Sequence, residues 1–210
     1  MNPRGMIPLD PRLPGGFVGP SAAGDNSGWC TVRTIVVVPY NPDWKNEFER
    51  IKNEISPALS GLILAIEHVG STSVPGLHAK PIIDIDIVIE KELFGKVKER
   101  LGKMAYLHVG NLGVEGREAF KYENKPHLME HHLYVCDKSA DELKRHIALR
   151  DFLRNNGEYR RKYSGIKIEM ANKFPHDIDN YIDGKQPVVL EIYEKCGLDT
   201  TYKRLLADTR

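Results

Sequence analysis

Residues 83–89 read Ile-Asp-Ile-Asp-Ile-Val-Ile, and that alternation leaves this stretch of chain few conformations. Successive side chains of a strand point to opposite faces, so Asp84 and Asp86 share one face while Ile83, Ile85 and Ile87 share the other. A helix would scatter both sets around its circumference. The pattern predicts a strand over residues 81–89 with one packed apolar face. On its other face sit two carboxylates about 7 Å apart. Two such charges repel, and burying them unpaired is expensive. A hard divalent cation resolves both difficulties, because Mg²⁺ takes one or two carboxylates and completes its shell with water and phosphate oxygens.

Upstream, a small-residue turn, Gly70-Ser71-Thr72, directly follows a predicted strand over residues 62–69. Glycine lets backbone approach a phosphate closely, and exposed N–H groups with the Ser71 hydroxyl can hold its oxygens. A Gly-Ser turn alone is common, and a lone Asp-x-Asp is ordinary strand alternation. Their conjunction within about fifteen residues points to a phosphate and metal site suited to phosphoryl or nucleotidyl transfer.

The remaining chain reads as mixed α+β. Residues 34–38 are β-branched and predict a strand stopped by Pro39. Trp44, Phe48, Ile51, Ile55 and Leu59 make one helical face, with Asn41 or Asp43 as cap and Pro57 disturbing the last turn. A helix over 91–104, a short strand over 105–109, a glycine-bearing loop over 111–124 and a strand over 127–136 follow. Helices over 140–155 and 158–174 come next, with two shorter ones over 177–183 and 188–196. The expected architecture is a mixed sheet in the first two thirds, buttressed by C-terminal helices. Residues 1–30 alternate Pro and Gly with no apolar period and read as an extended or disordered arm, leaving 31–210 as one domain.

Charge and cysteine usage narrow the functional classes. With 30 basic and 29 acidic residues, the chain lacks the basic excess of a non-specific nucleic-acid binder, although a local site can still take a small anion. Cys30, Cys136 and Cys196 form no CxxC pair, which argues against a disulfide framework or zinc knuckle. No apolar run approaches the ~20 residues of a bilayer span, and no signal-like start is visible. The expectation is a cytoplasmic protein with no membrane partner.

The runs VVVPYNPDW (36–44) and IEHVGSTSVPGLHAKPIIDIDIVI (66–89) resemble the GrpB family, also called UPF0157. That family looks like part of the nucleotidyltransferase superfamily, whose sheet is the polymerase-beta-type palm. The resemblance continues through HHLYV (131–135), LRDFLR (149–154) and YSGIK (163–167), and covers about residues 36 to 192. It implies that Gly70, Ser71 and Thr72 contact phosphate and that Asp84 and Asp86 ligate Mg²⁺ or Mn²⁺. The superfamily adds a third carboxylate from a neighbouring strand. Here that strand offers Glu130, His131, His132 and Tyr134, and His132 resembles the family's own histidine, a metal ligand or a base. Glu130 is the alternative third ligand. Lys80, Arg117, Arg150 and Lys167 are candidates for a triphosphate tail, with an ion pair to Asp141 or Asp151 the competing role for Arg150. His68 is expected to brace the turn through hydrogen bonds, and Tyr159, Tyr163 and Tyr181 to pack.

The implied activity is Mg²⁺-dependent binding of a nucleoside triphosphate and transfer of a nucleotidyl group to a small-molecule or protein acceptor. A non-catalytic nucleotide- or metal-binding module is the alternative, and a phosphate-ester metallohydrolase a weaker third. Some family members are fused to a dephospho-CoA kinase. This chain carries no GxxxxGK[ST] loop, so that kinase activity is not expected of it.

Overall fold

The computed structural model describes residues 34–200, and the arm expected over residues 1–30 lies outside them. The alternating run forms β2 (Ile83–Ile89) in the interior of a five-stranded sheet. It pairs antiparallel with β1 (Ala65–Val69) and parallel with β5 (His131–Asp137). Beyond β5, β4 (Arg117–Tyr122) and β3 (Tyr106–Gly110) continue antiparallel, giving the order β1-β2-β5-β4-β3.

Each face of the sheet is covered for a reason visible in its residues. Ile83, Ile85, Ile87 and Ile89 are buried with Leu133 and Val135 beneath α1 (Asp43–Ile55) and α2 (Phe94–Lys103). Each fully buried aliphatic side chain contributes about 1.5–3 kcal/mol. Helix α1 contributes Trp44, Phe48, Ile51 and Ile55, then tightens at Pro57 into a 3₁₀ turn, Ser56–Leu59. On the carboxylate face lie α3 (Asp141–Asn155), α4 (Gly157–Lys173) and α5 (Ile178–Lys195). Among the described residues, no helix is long and apolar enough to cross a membrane.

Three expectations are corrected. Residues 34–38 make only a bridge between Val38 and Ala79, because Ile35 N–H is taken by the Pro175 carbonyl and Pro39 has no N–H to extend pairing. The expected loop over 111–124 contains β4, which starts after Gly113 and Gly116 turn the chain at positive φ. The two short C-terminal helices are a single α5 that runs through Pro187. Gly184 permits this packing, since a Cβ there would lie 2.7 Å from Met170 Cγ on α4.

Candidate active site

Chain geometry builds the site from a single glycine. At the end of β1 the backbone turns through Gly70, at φ 68° and ψ −169°, into the 3₁₀ turn Ser71–Ser73. A Cβ at Gly70 would lie 2.7 Å from Asp84 Cγ and nearer still to Oδ2, so only glycine lets the turn lie against this carboxylate. Ser73 Oγ donates to the Gly70 carbonyl (2.7 Å), and Thr72 Oγ1 donates to the Ile82 carbonyl (3.1 Å). His68 Nε2 meets Thr72 Oγ1 at 3.1 Å. Burial, with Arg154 and Arg150 nearby, brings His68 down to about 4 despite the opposing Asp84 charge, so it braces the turn as a neutral ring. Thr72 is buried, its hydroxyl is taken up by the Ile82 carbonyl and His68, and it does not line the adjoining cavity.

Asp84 and Asp86 do share a face, and each is met by an imidazole. His132 faces Asp84 across the β2–β5 register, its Nδ1 2.8 Å from Asp84 Oδ1. His146, on α3, places Nδ1 2.7 Å from Asp86 Oδ2 and Nε2 3.3 Å from Glu142 Oε1. Burial opposes charging His146, but the hydrogen bonds and charges of Asp86 and Glu142 prevail and raise it to about 9. Burial would likewise raise Asp84, yet the His132 hydrogen bond and the charges of His132, His146 and Lys185 hold it below the usual carboxylate range. Asp84 lines a cavity, whereas Asp86 is 0% exposed beneath it.

Among the described residues, no group of three or more His, Cys, Asp or Glu side chains is arranged to hold a metal. Glu130 lies before β5 and uses its carbonyl to accept from Ile83 N–H. Asp86 Oδ1, however, is a buried acceptor without a hydrogen-bond partner. Two carboxylates with one such oxygen suit Mg²⁺ or Mn²⁺ completed by water and phosphate oxygens; they do not make an all-protein cage.

The cavity, about 330 Å³, lies between the carboxylate face and α3–α5. Gly70, Ser71 and Asp84 line it together with Arg117, Arg150 and Lys185. Arg117 stacks its guanidinium 4.6 Å over the Tyr134 ring. Arg150 is ion-paired with Glu67 (2.7 Å) and Asp151 (2.8 Å), so the competing structural role is realised at the cavity wall. Lys167 is 1% exposed and donates from Nζ to Ser71 Oγ at 3.0 Å. Lys80 does not line the cavity and points towards the Tyr181 ring at 5.8 Å. His132 stays half-exposed outside the cavity lining.

His146 and Lys185 were not among the residues read from sequence. A signal for His146 exists: Glu142, His146 and Arg150 recur every four residues and therefore share one face of α3.

The sequence profile of the family described as GrpB protein matches residues 34–195. The chain belongs to the GrpB family. Over 162 residues this GrpB-family chain is 31% identical to the glutamate-rich protein GrpB of Alkalihalophilus pseudofirmus, spanning 75% of the chain and 93% of that relative. It is 32% identical over 155 residues to UPF0157 protein YqkA of Bacillus subtilis, spanning 73% of the chain but 44% of YqkA. A dephospho-CoA kinase of Mycolicibacterium paratuberculosis is 24% identical over 185 residues, spanning 77% of the chain and 46% of the kinase. The crystal structure of GrpB from Enterococcus faecalis matches with a TM-score of 0.66 and 30% identity, covering 76% of this chain and 98% of that one.

Proposed function

We propose that this GrpB-family chain is a Mg²⁺-dependent nucleotidyltransferase-like protein that binds a nucleoside triphosphate in the cavity beside Gly70 and Asp84. The observation that carries the reading is the contact of the Gly70 backbone with the Asp84 carboxylate. It brings the Gly70–Ser71 turn, a carboxylate and the cavity to one place, with Arg117, Arg150 and Lys185 along the same walls. In this reading Gly70 and Ser71 receive phosphate oxygens, and Asp84 with Asp86 holds Mg²⁺, which when bound neutralises charge on the triphosphate. Arg117 and Lys185 offset the rest of the anionic charge. A small-molecule or protein acceptor attacks the α-phosphorus and pyrophosphate leaves.

Calorimetric titration of ATP and GTP, with and without Mg²⁺, tests this in the wild type and in Asp84→Asn. Mg²⁺-dependent binding that weakens at least about tenfold in the variant is expected, the loss of one charge-assisted contact. Equal binding by both proteins, or binding by neither, refutes it.

One observation favours a second reading, a nucleotide- or metal-binding module without turnover. Asp86 is sealed from the cavity and already charge-paired with His146, so only Asp84 of the two carboxylates faces a ligand directly. Incubation with labelled nucleotide separates the two, since a module retains it unchanged.

A further inference from the structure

Ser71 has a neighbour that phosphate binding does not require. Lys167 enters from α4, is 1% exposed, and finds the Ser71 hydroxyl at 3.0 Å and the face of the Tyr163 ring at 4.6 Å. Among the described residues its amine makes no ion pair. An ammonium buried with no carboxylate in ion-pair contact is disfavoured, so the uncharged amine is the form this site stabilises. Burial, and then the charge of Lys185, pushes Lys167 well below an ordinary lysine, and Asp84 offsets only part of this. With an uncharged amine, the 3.0 Å pair can run the other way, with the Ser71 O–H donating to Nζ. Tyr163 cannot take that proton. Burial first, then Tyr181, Tyr193 and Asp84, drives its phenol far above its usual range, with Ser71 lowering it only slightly.

We propose that Ser71 is a nucleophile activated by Lys167, and that it takes the nucleotidyl group of the bound triphosphate as a covalent phosphoserine diester before any acceptor does. The proposal rests on the triphosphate reading above and names that site's first acceptor. A hydroxyl held against an uncharged buried lysine, at the wall of a cavity lined by cations, is the arrangement used for base-assisted serine attack. The Ser71 proton passes to Lys167 Nζ, Oγ bonds to the α-phosphorus, and the bond from that phosphorus to the bridging oxygen breaks. Pyrophosphate leaves with the electron pair. In the second half an acceptor hydroxyl or amine attacks the same phosphorus, Ser71 Oγ leaves and recovers the proton from Lys167, and the acceptor's proton goes to solvent.

The test uses the full chain with ATP and Mg²⁺, read by intact mass and peptide mapping, with ATP binding measured calorimetrically in parallel. One adenylyl group on the Ser71 peptide is expected, absent in Ser71→Ala. It should form at least about 100-fold more slowly in Lys167→Met, which keeps the volume, and in Lys167→Arg, whose guanidinium stays charged and cannot act as a base. Circular dichroism checks that both variants are folded. ATP binding without an adduct overturns the covalent step and leaves the triphosphate reading standing. An adduct on another residue, a bare phosphoryl group on Ser71, or equal rates in the lysine variants also overturns it. If ATP does not bind at all, nucleotidyl transfer falls with the reading beneath it. A fluorophosphonate probe then judges the serine alone: labelling of Ser71 that requires Lys167 supports the nucleophile, and none removes it.

Discussion

At Gly70 two constraints coincide: a positive φ that side-chain-bearing residues rarely adopt, and a carboxylate where Cβ would be. Gly70→Ala is expected to cost about 1–3 kcal/mol in urea denaturation, from strain plus displacement of Asp84. The same variant should lose nucleotide binding more completely than Asp84→Asn does, because it moves both the turn and the carboxylate. His146 supplies a second prediction, at alkaline pH. Its pKa rises from an ordinary 6.5 to about 9 in the fold, so the folded protein holds this proton more tightly than the unfolded chain. The resulting stabilisation is complete below about pH 6.5 and disappears as pH climbs through about 9, amounting to on the order of 3 kcal/mol. Urea midpoints recorded from pH 6 to 10 should fall across that window in the wild type. His146→Gln should start lower and stay nearly flat. A wild-type curve that is flat there would mean that Asp86 and Glu142 do not hold a charged imidazole.

Among the elements, β2 was legible because period two is a local property and its four isoleucines, Ile83, Ile85, Ile87 and Ile89, agree with it. The turn after β1 was legible for the same reason, since Gly70 and Ser71 are neighbours in sequence. What stayed hidden depends on distant chain. His146 reaches Asp86 across 60 residues, and Lys167 reaches Ser71 across 96. Strand β4 was masked because Arg117, Glu118 and Lys121 interrupt its apolar residues, and only pairing with β3 and β5 selects the strand. The sequence predicts two helices where α5 is one, because Gly184 and Pro187 are ordinary breakers. Packing overrides them: Val188, Val189, Ile192 and Tyr193 are buried beyond the proline and Tyr181 before it. The proline still lacks an N–H for the Asp183 carbonyl, and an interior proline costs about 3 kcal/mol relative to alanine. Pro187→Ala is therefore expected to raise stability by about 1–3 kcal/mol in thermal or urea denaturation. Because Asp183, Lys185, Gln186 and Val189 line the cavity, ligand affinity should change with it. Unchanged or lower stability would show that the helix packs better bent than straight.

Taken whole, the molecule covers its sheet unequally. Beneath α1 and α2 one continuous apolar cluster joins Trp44 and Phe48 to the β2 isoleucines. On the other side α3–α5 contribute three smaller clusters around a cavity. There polar links also join the helices to β1 and the turn after it: Arg154 to the Ser73 carbonyl at 2.8 Å, Arg150 to Glu67, and Lys167 to Ser71. Fewer apolar contacts and a cavity lower the free energy of local opening, so α3–α5 should exchange amide hydrogens faster than α1 and β2 in the ligand-free protein. Nucleotide in the cavity would bridge the two layers, since Ser71 and Asp84 lie on one wall and Lys185 on the other. At a hundredfold excess over Kd, binding stabilises the closed form by about 2.7 kcal/mol, close to a hundredfold slowing of exchange. Mg²⁺-ATP is therefore expected to slow exchange in α3, α5 and the Ser71 turn by up to that factor. Amides of α1 should gain less, up to the point where they open only with the whole fold. Equal rates on both sides without ligand, followed by equal gains, would show that the two layers open as one cooperative unit despite the cavity between them.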